Sequence, residues 1–267
     1  VRKDTLLEDI SDGEDFKIAI GFDPEDNPSP LFEYSFELAH LLCSELVVVH
    51  AVENLVNPTP QEDEEKIKLA VEKILEKIPA GLKEGINLSV EILYGKDIET
   101  FSQFVEKRGI KLFAFYFYKK LLGKTIAETF VEKLPTALLA VREKHSYRPI
   151  KKILVPLDFS GISLKQKEFI ARMLTCRERL EVVFFHVLDK RDSSEEEEVK
   201  LLFEEIFEGM GELKLAYGNP EEEILKELKE GGYNLVMVGR VGKGLNGICG
   251  KVTKEILEEA PCPTVVV

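Results

Sequence analysis

Residues 234–267, NLVMVGRVGKGLNGICGKVTKEILEEAPCPTVVV, decide the fold. A short apolar run gives way to a glycine-rich stretch. Gly250 and Lys251 then open a segment with helical spacing, and a proline precedes the terminal TVVV. This reads as strand, loop, helix, strand, and the apolar runs are continuous enough for strands buried on both faces. A counterpart, IKLFAFYFYKKLLGKTIAETFVEKLPTALLAV, occupies residues 110–141 and keeps only Gly123 of the glycines. The chain therefore carries one pattern twice, with a phosphate-sized loop in the second copy alone.

Working outward, FKIAIGFD (16–23) pairs with KKILVPLDFS (151–160), and ELVVVHAVE (45–53) pairs with RLEVVFFHVLD (179–189). NLSVEILYG and ELKLAYG supply the third strands. Helical spacing separates the strands, as at Phe32, Phe36, Ala39 and Leu42 in one copy and Phe169, Ile170, Met173 and Leu174 in the other. Further helices are expected over 62–78, 124–134, 195–208 and 251–259. Helical crossovers between buried strands demand a parallel, right-handed arrangement, so the class is α/β. A polar stretch near REKHSYRPIKK (142–152) separates a domain over 16–146 from one over 147–267. Residues 1–15 form a tail ahead of the first.

Composition limits what such a chain does. Of its 267 residues 44% are hydrophobic, enough for two cores, and the formal net charge is −13. An acidic surface opposes nonspecific attraction to nucleic acid and to anionic membranes. No apolar run reaches the length of a membrane span, and VRKDTLLEDISDGED lacks a signal-peptide core, so a cytoplasmic location is expected. Cys43, Cys176, Cys249 and Cys262 are widely spaced without a CxxC pair, and reduced thiols packed as small hydrophobes are expected.

In a parallel sheet of this kind, ligands lie beyond the carboxyl ends of the strands, where the strand order reverses. The second copy presents Asp158, His186 with Val187, Gly218 and Gly239 there. Gly239, Gly242, Gly244, Gly247 and Gly250 then lead to Lys251 at a helix start, where free N–H groups receive anions. The same glycines also suit a tight structural turn, and both readings stand. The stretch is not a Walker A sequence, and no GxGxxG follows either first strand. Asp158 either accepts from a ribose hydroxyl, or lies near a metal accompanying phosphates, or caps its own loop. His50 and His186 recur at matching strand ends, including the copy without a phosphate loop, which points to a shared structural bond rather than to acid–base work.

VPLDFS (155–160), FHVLD (185–189), YGNPEEEIL (217–225) and the terminal stretch, in that order, resemble the universal stress protein family in its tandem form. The resemblance implies two Rossmann-like (adenine nucleotide alpha hydrolase-like) domains, each a five-stranded parallel sheet of order 3-2-1-4-5 flanked by helices. ATP-binding members carry Gly, two residues, Gly, nine residues, then Gly followed by Ser or Thr. Carried across, these glycines are Gly239, Gly242 and Gly250, but only seven residues separate the last two and Lys251 replaces the hydroxyl residue. The family's ribose-facing Asp maps to Asp158, its adenine-facing segment to Val187, and Pro156 lies near the base. The implied ligand is ATP, with Mg²⁺ if bound, in a stress-related sensor or regulator. The alternative is a scaffold that has lost nucleotide binding in both domains. No residue stands out as a base to activate water, so no catalytic residue is assigned and at most a weak ATPase is implied. The resemblance also implies an intrachain pseudo-dimer through TALLAV and TVVV, and association into a homodimer. In the first copy Asp23 remains, while Tyr116 and Lys119 replace the first two glycines. Phe113, Phe115, Tyr116, Phe117 and Tyr118 are expected to fill core and contact surface, with a base-stacking site as the alternative, and ATP is not expected to bind there.

Overall fold

A computed structural model of the chain describes residues 16–24, 29–53, 60–118, 125–159, 163–176, 179–240 and 250–267. The chain divides into two compact units, one over Asp15–Tyr147 and the other containing Arg148–Val267.

The first unit runs β1 (Lys17–Gly21), α1 (Ser29–Leu42), β2 (Glu45–Val52), α2 (Pro60–Leu75), α3 (Ala80–Lys83) and β3 (Leu88–Tyr94). It continues through α4 (Ile98–Arg108), β4 (Ile110–Tyr116), α5 (Ile126–Lys133) and β5 (Ala137–Val141). Its strands lie in the order β3-β2-β1-β4-β5, and the four pairings are parallel. β1 and β4 are central, so Ile18, Ala19, Ile20, Leu112, Phe113 and Ala114 are fully buried, which explains why their sequence does not alternate. The short α3 was not foreseen; it follows Pro79, whose fixed φ suits a helix start.

The second unit repeats the plan: β6 (Lys152–Pro156), α6 (Ser163–Cys176), β7 (Glu181–Leu188), α7 (Ser193–Phe207) and β8 (Glu212–Tyr217). Then come α8 (Pro220–Glu230), β9 (Leu235–Val238), α9 (Lys251–Glu259) and β10 (Thr264–Val266). Its strand order is β8-β7-β6-β9-β10, again parallel throughout. α9 buries Thr253, Ile256 and Leu257, one stripe at helical spacing, and ends at Ala260 ahead of Pro261.

The duplication extends to backbone detail. Gly95 after β3 and Gly218 after β8 have φ of 134° and 127°, values that side-chain-bearing residues rarely adopt. Each donates its N–H back to the neighbouring strand, Gly95 to Val52 O at 2.9 Å and Gly218 to Leu188 O at 2.8 Å. The same sharp departure thus ends the third strand of both sheets.

The thiols depart from expectation. Cys262 is free and buried, as a small hydrophobe would be. Cys43, in a left-handed conformation (φ 48°) just past α1, is disulfide-bonded, and so is Cys176 at the end of α6. Sequence spacing carries no sign of this, because only the fold decides which sulfurs meet. Cys249 lies outside the described residues. Among the described residues no helix is long and apolar enough to cross a membrane, and no group of His, Cys, Asp and Glu is arranged to hold a metal ion.

Candidate functional site

The second unit's candidate site lies where β6 and β9 diverge. Their ladder pairs Ile153 with Leu235 and Leu154 with Val236, and no further. Gln166 of α6 spans the opening: its Nε2 donates to Pro156 O at 3.0 Å and to Met237 O at 3.2 Å. The side chain is buried, 2% exposed, so both bonds are shielded from water. Gln166 was missed in the sequence, although a polar residue one turn ahead of the fully buried Ile170 on a core-facing stripe is the sign of such a bond.

Pro156 ends β6, and the half-buried Asp158 follows two residues later. Phe159 next to it has φ 52°, a costly conformation for a bulky side chain. Its ring meets His186 edge-on, with centroids 5.2 Å apart. His186 Nδ1 lies 2.7 Å from Leu157 O, and because a carbonyl only accepts, Nδ1 carries the proton. The first unit builds the same bond, His50 Nδ1 to Phe22 O at 2.8 Å. The recurring histidines therefore pin the chain where it leaves the first strand. Val187, next to His186 on β7, pairs with Ala216 and is half-buried.

On the other side of the opening, Gly239 follows β9 and its carbonyl accepts from Thr253 Oγ1 at 2.7 Å. Gly250 is the N-cap of α9, and its own N–H donates to Arg240 O at 3.0 Å. Residues 241–249, Gly242 included, lie outside the described residues; Arg240 and Gly250, which flank them, are joined by this hydrogen bond. Gly250 has no side chain to cap α9, and the first turn holds no acidic residue. Among the described residues, the N–H groups of Lys251 and Val252 have no hydrogen-bond acceptor. The Lys251 ammonium turns instead to Glu221 of α8, with Nζ 3.1 Å from its Oε1, and lies 4.0 Å from Oε1 of Glu255 on α9 itself. The hydrogen bond to Glu221, then the charges of Glu221 and Glu255, raise the Lys251 pKa, and the same hydrogen bond lowers that of Glu221.

The matching edge of the first unit is closed differently. Thr125 caps α5 in a reciprocal box with Glu128. The Glu128 N–H donates to Thr125 Oγ1 at 3.1 Å, and the Glu128 carboxylate accepts from the Thr125 N–H at 2.7 Å. The chain's own carboxylate therefore stands where an incoming anion would meet the helix end. Thr-Ile-Ala-Glu at 125–128 is the sequence signature of this box, and it was readable there. The aromatic residues largely pack as core, with Phe101, Phe113 and Phe115 all edge-on to Phe130 or to one another at 4.8–5.7 Å. They do not fill the edge, where a cavity of about 300 Å³ remains beside Phe22, His50, Phe115, Tyr116 and Tyr118. Gly123 and Lys124 lie outside the described residues.

Known proteins resemble this chain both in sequence and in fold. The sequence profile described as the Universal stress protein family matches residues 149–267. No curated protein matches in sequence. A universal stress protein from Archaeoglobus fulgidus DSM 4304 superposes with a TM-score of 0.73 at 18% identity, covering 94% of this chain and 97% of its own. A protein described as a universal stress protein from Pseudomonas aeruginosa UCBPP-PA14 gives a TM-score of 0.66 at 16% identity, over 94% of this chain and 92% of its own. A universal stress protein crystallised in complex with cAMP shares 12% identity over 47% of this chain and 96% of its own, with a TM-score of 0.35. The family's profile matches residues 149–267, so this part of the chain belongs to the universal stress protein family, and the chain shares the family's α/β fold.

Proposed function

We propose that the second domain binds an adenine nucleotide, with ATP and Mg²⁺ as the ligand to test, and that the protein is a stress-related sensor or regulator rather than a dedicated enzyme. In this reading Asp158 accepts from the ribose hydroxyls, while Pro156 and the backbone at Val187 flank the base. Gly239 and Gly242 let the loop approach the phosphates. The N–H groups of Lys251 and Val252 receive them, while Gly250 shapes the turn, its own N–H being committed to Arg240 O. The observation that carries the reading is the open N-terminus of α9, without a capping side chain or acidic first-turn residue among the described residues, tied to the end of β9 by the bond from Thr253 to Gly239 O. Lys251 is 74% exposed in its pair with Glu221, so its ammonium is free to swing toward a phosphate.

A second reading, a scaffold without nucleotide, is favoured by that Lys251–Glu221 pair and by the bond closing the loop base. Calorimetric titration of the full chain with ATP and Mg²⁺ separates the two. The sensor reading expects saturation near one equivalent, weakened at least tenfold in Asp158→Ala and in Gly242→Val. Absence of saturable binding into the millimolar range favours the scaffold.

A further inference from the structure

The cavity at the edge of the first unit lies where the second unit offers its open helix end, yet its chemistry excludes what that end attracts. Glu128 already occupies the N-terminus of α5, so a phosphate there would meet the negative charge of its carboxylate. The walls are aromatic. Phe22, Phe101, Phe115 and Phe130 are each at most 7% exposed, yet all four border the cavity, and Tyr118, 47% exposed, stands at its mouth. Rings in walls of this kind favour edge-to-face and offset contacts with another ring.

The polar groups narrow the class further. His50 Nδ1 donates to Phe22 O, so in the neutral ring Nε2 is an acceptor, and it has no partner among the described residues. Asp23 and Lys96 add opposite charges to the lining, so no net charge is demanded of an occupant. A volume of about 300 Å³ stands at the small end of ligand sites, which suits one or two fused rings.

We propose that this first-domain cavity is a binding site for a small, uncharged planar aromatic molecule without phosphate, which donates an N–H or O–H hydrogen bond to His50 Nε2. The site is separate from the nucleotide reading of the second domain and stands without it.

Indole and adenosine serve as probes of the full chain, followed by calorimetry and by ligand-observed NMR. Both are expected to saturate, with ATP no tighter than adenosine at this site. Ala51→Phe, which puts a ring into the space from a half-buried strand end, is expected to weaken them at least tenfold. His50→Phe, which keeps the ring and removes the acceptor, is expected to weaken them about tenfold. Asp158→Ala in the second domain is expected to leave indole binding unchanged. Independently of any variant, intermolecular NOEs from bound indole to the methyl groups of Ala51 and Ala127 are expected in the unmutated protein. The proposal is overturned if neither probe saturates below about 5 mM. It is also overturned if NOEs reach only other residues, or if folded Ala51→Phe and His50→Phe proteins both bind within twofold of the original.

Discussion

Gln166→Leu tests whether the opening between β6 and β9 is held by one side chain. The substitution keeps the volume and removes both donated bonds, leaving Pro156 O and Met237 O facing an apolar group. Losing a buried neutral hydrogen bond costs about 1.5 kcal/mol, so the pair costs about 3 kcal/mol. Burying leucine methyls where an amide stood returns about 1 kcal/mol. The net is about 2 kcal/mol, which corresponds to roughly 30-fold more frequent opening of the surrounding backbone. Gln166→Glu is expected to be worse at neutral pH, because a carboxylate that is nearly solvent-free would then face two carbonyl oxygens. Native-state hydrogen exchange by mass spectrometry reads the effect strand by strand. Peptides covering β6 and β9 should exchange faster, while those covering β1 and β4 keep their rates. Unchanged exchange in β6 and β9, or equal acceleration in all four strands, would refute the assignment of Gln166 as a local clamp.

Gly250→Asp places a carboxylate on the open end of α9, copying within the second domain what Glu128 does in the first. Because glycine is itself a fair N-cap, stability should rise by only a few tenths of a kcal/mol, about 0.3. ATP titration should nevertheless lose at least tenfold in affinity; retained affinity would sever the link between the open helix end and the phosphates. Glu227 is pushed up by burial, but hydrogen bonds from Lys214 and Tyr233 together hold its pKa below the usual 4.5. A lowered carboxyl stabilises the fold above pH 4.5 and loses that contribution as pH falls through its folded value. Tyr233→Phe should therefore cost about 1 kcal/mol at pH 7, with the difference shrinking below pH 4.5 in urea unfolding at both pH values. Burial pushes the Cys262 thiol up to about 12, so at pH 8 roughly one molecule in 10,000 carries the thiolate. Iodoacetamide should leave the Cys262 peptide unmodified in the native protein and label it fully after unfolding; native labelling within minutes would contradict the burial.

What the sequence disclosed follows from how local each feature is. The helix over 251–259 was readable to the residue, because Gly250, the stripe of Thr253, Ile256 and Leu257, and Pro261 all act within a few positions. The central strands announced themselves by unbroken apolar runs such as VVFF at 182–185. The Gln166 bond to Met237 O joins residues 71 apart, and nothing near position 166 names its partner. The oxidised state of Cys43 and Cys176 is equally nonlocal. The first-unit cavity was hidden for another reason. Aromatic abundance predicts filling, whereas a void depends on rings such as Phe101 and Phe130 meeting edge-on and leaving the strand ends uncovered.

The two copies share the aspartate and the histidine bond, while the start of the last helix differs between them. A helix end carries about half a positive charge that something must satisfy. In the first unit Glu128 satisfies it permanently, since a carboxylate three residues from the cap never dissociates from its site. In the second unit no side chain does so, and α9 begins with N–H groups that find no acceptor among the described residues. On the reading proposed above, an anion bound at this end would stabilise the second domain by RT ln(1 + [L]/Kd), an amount that keeps rising with the logarithm of its concentration. The duplication thus pairs a half whose last helix is capped by its own side chains with a half whose last helix has no side-chain cap among the described residues.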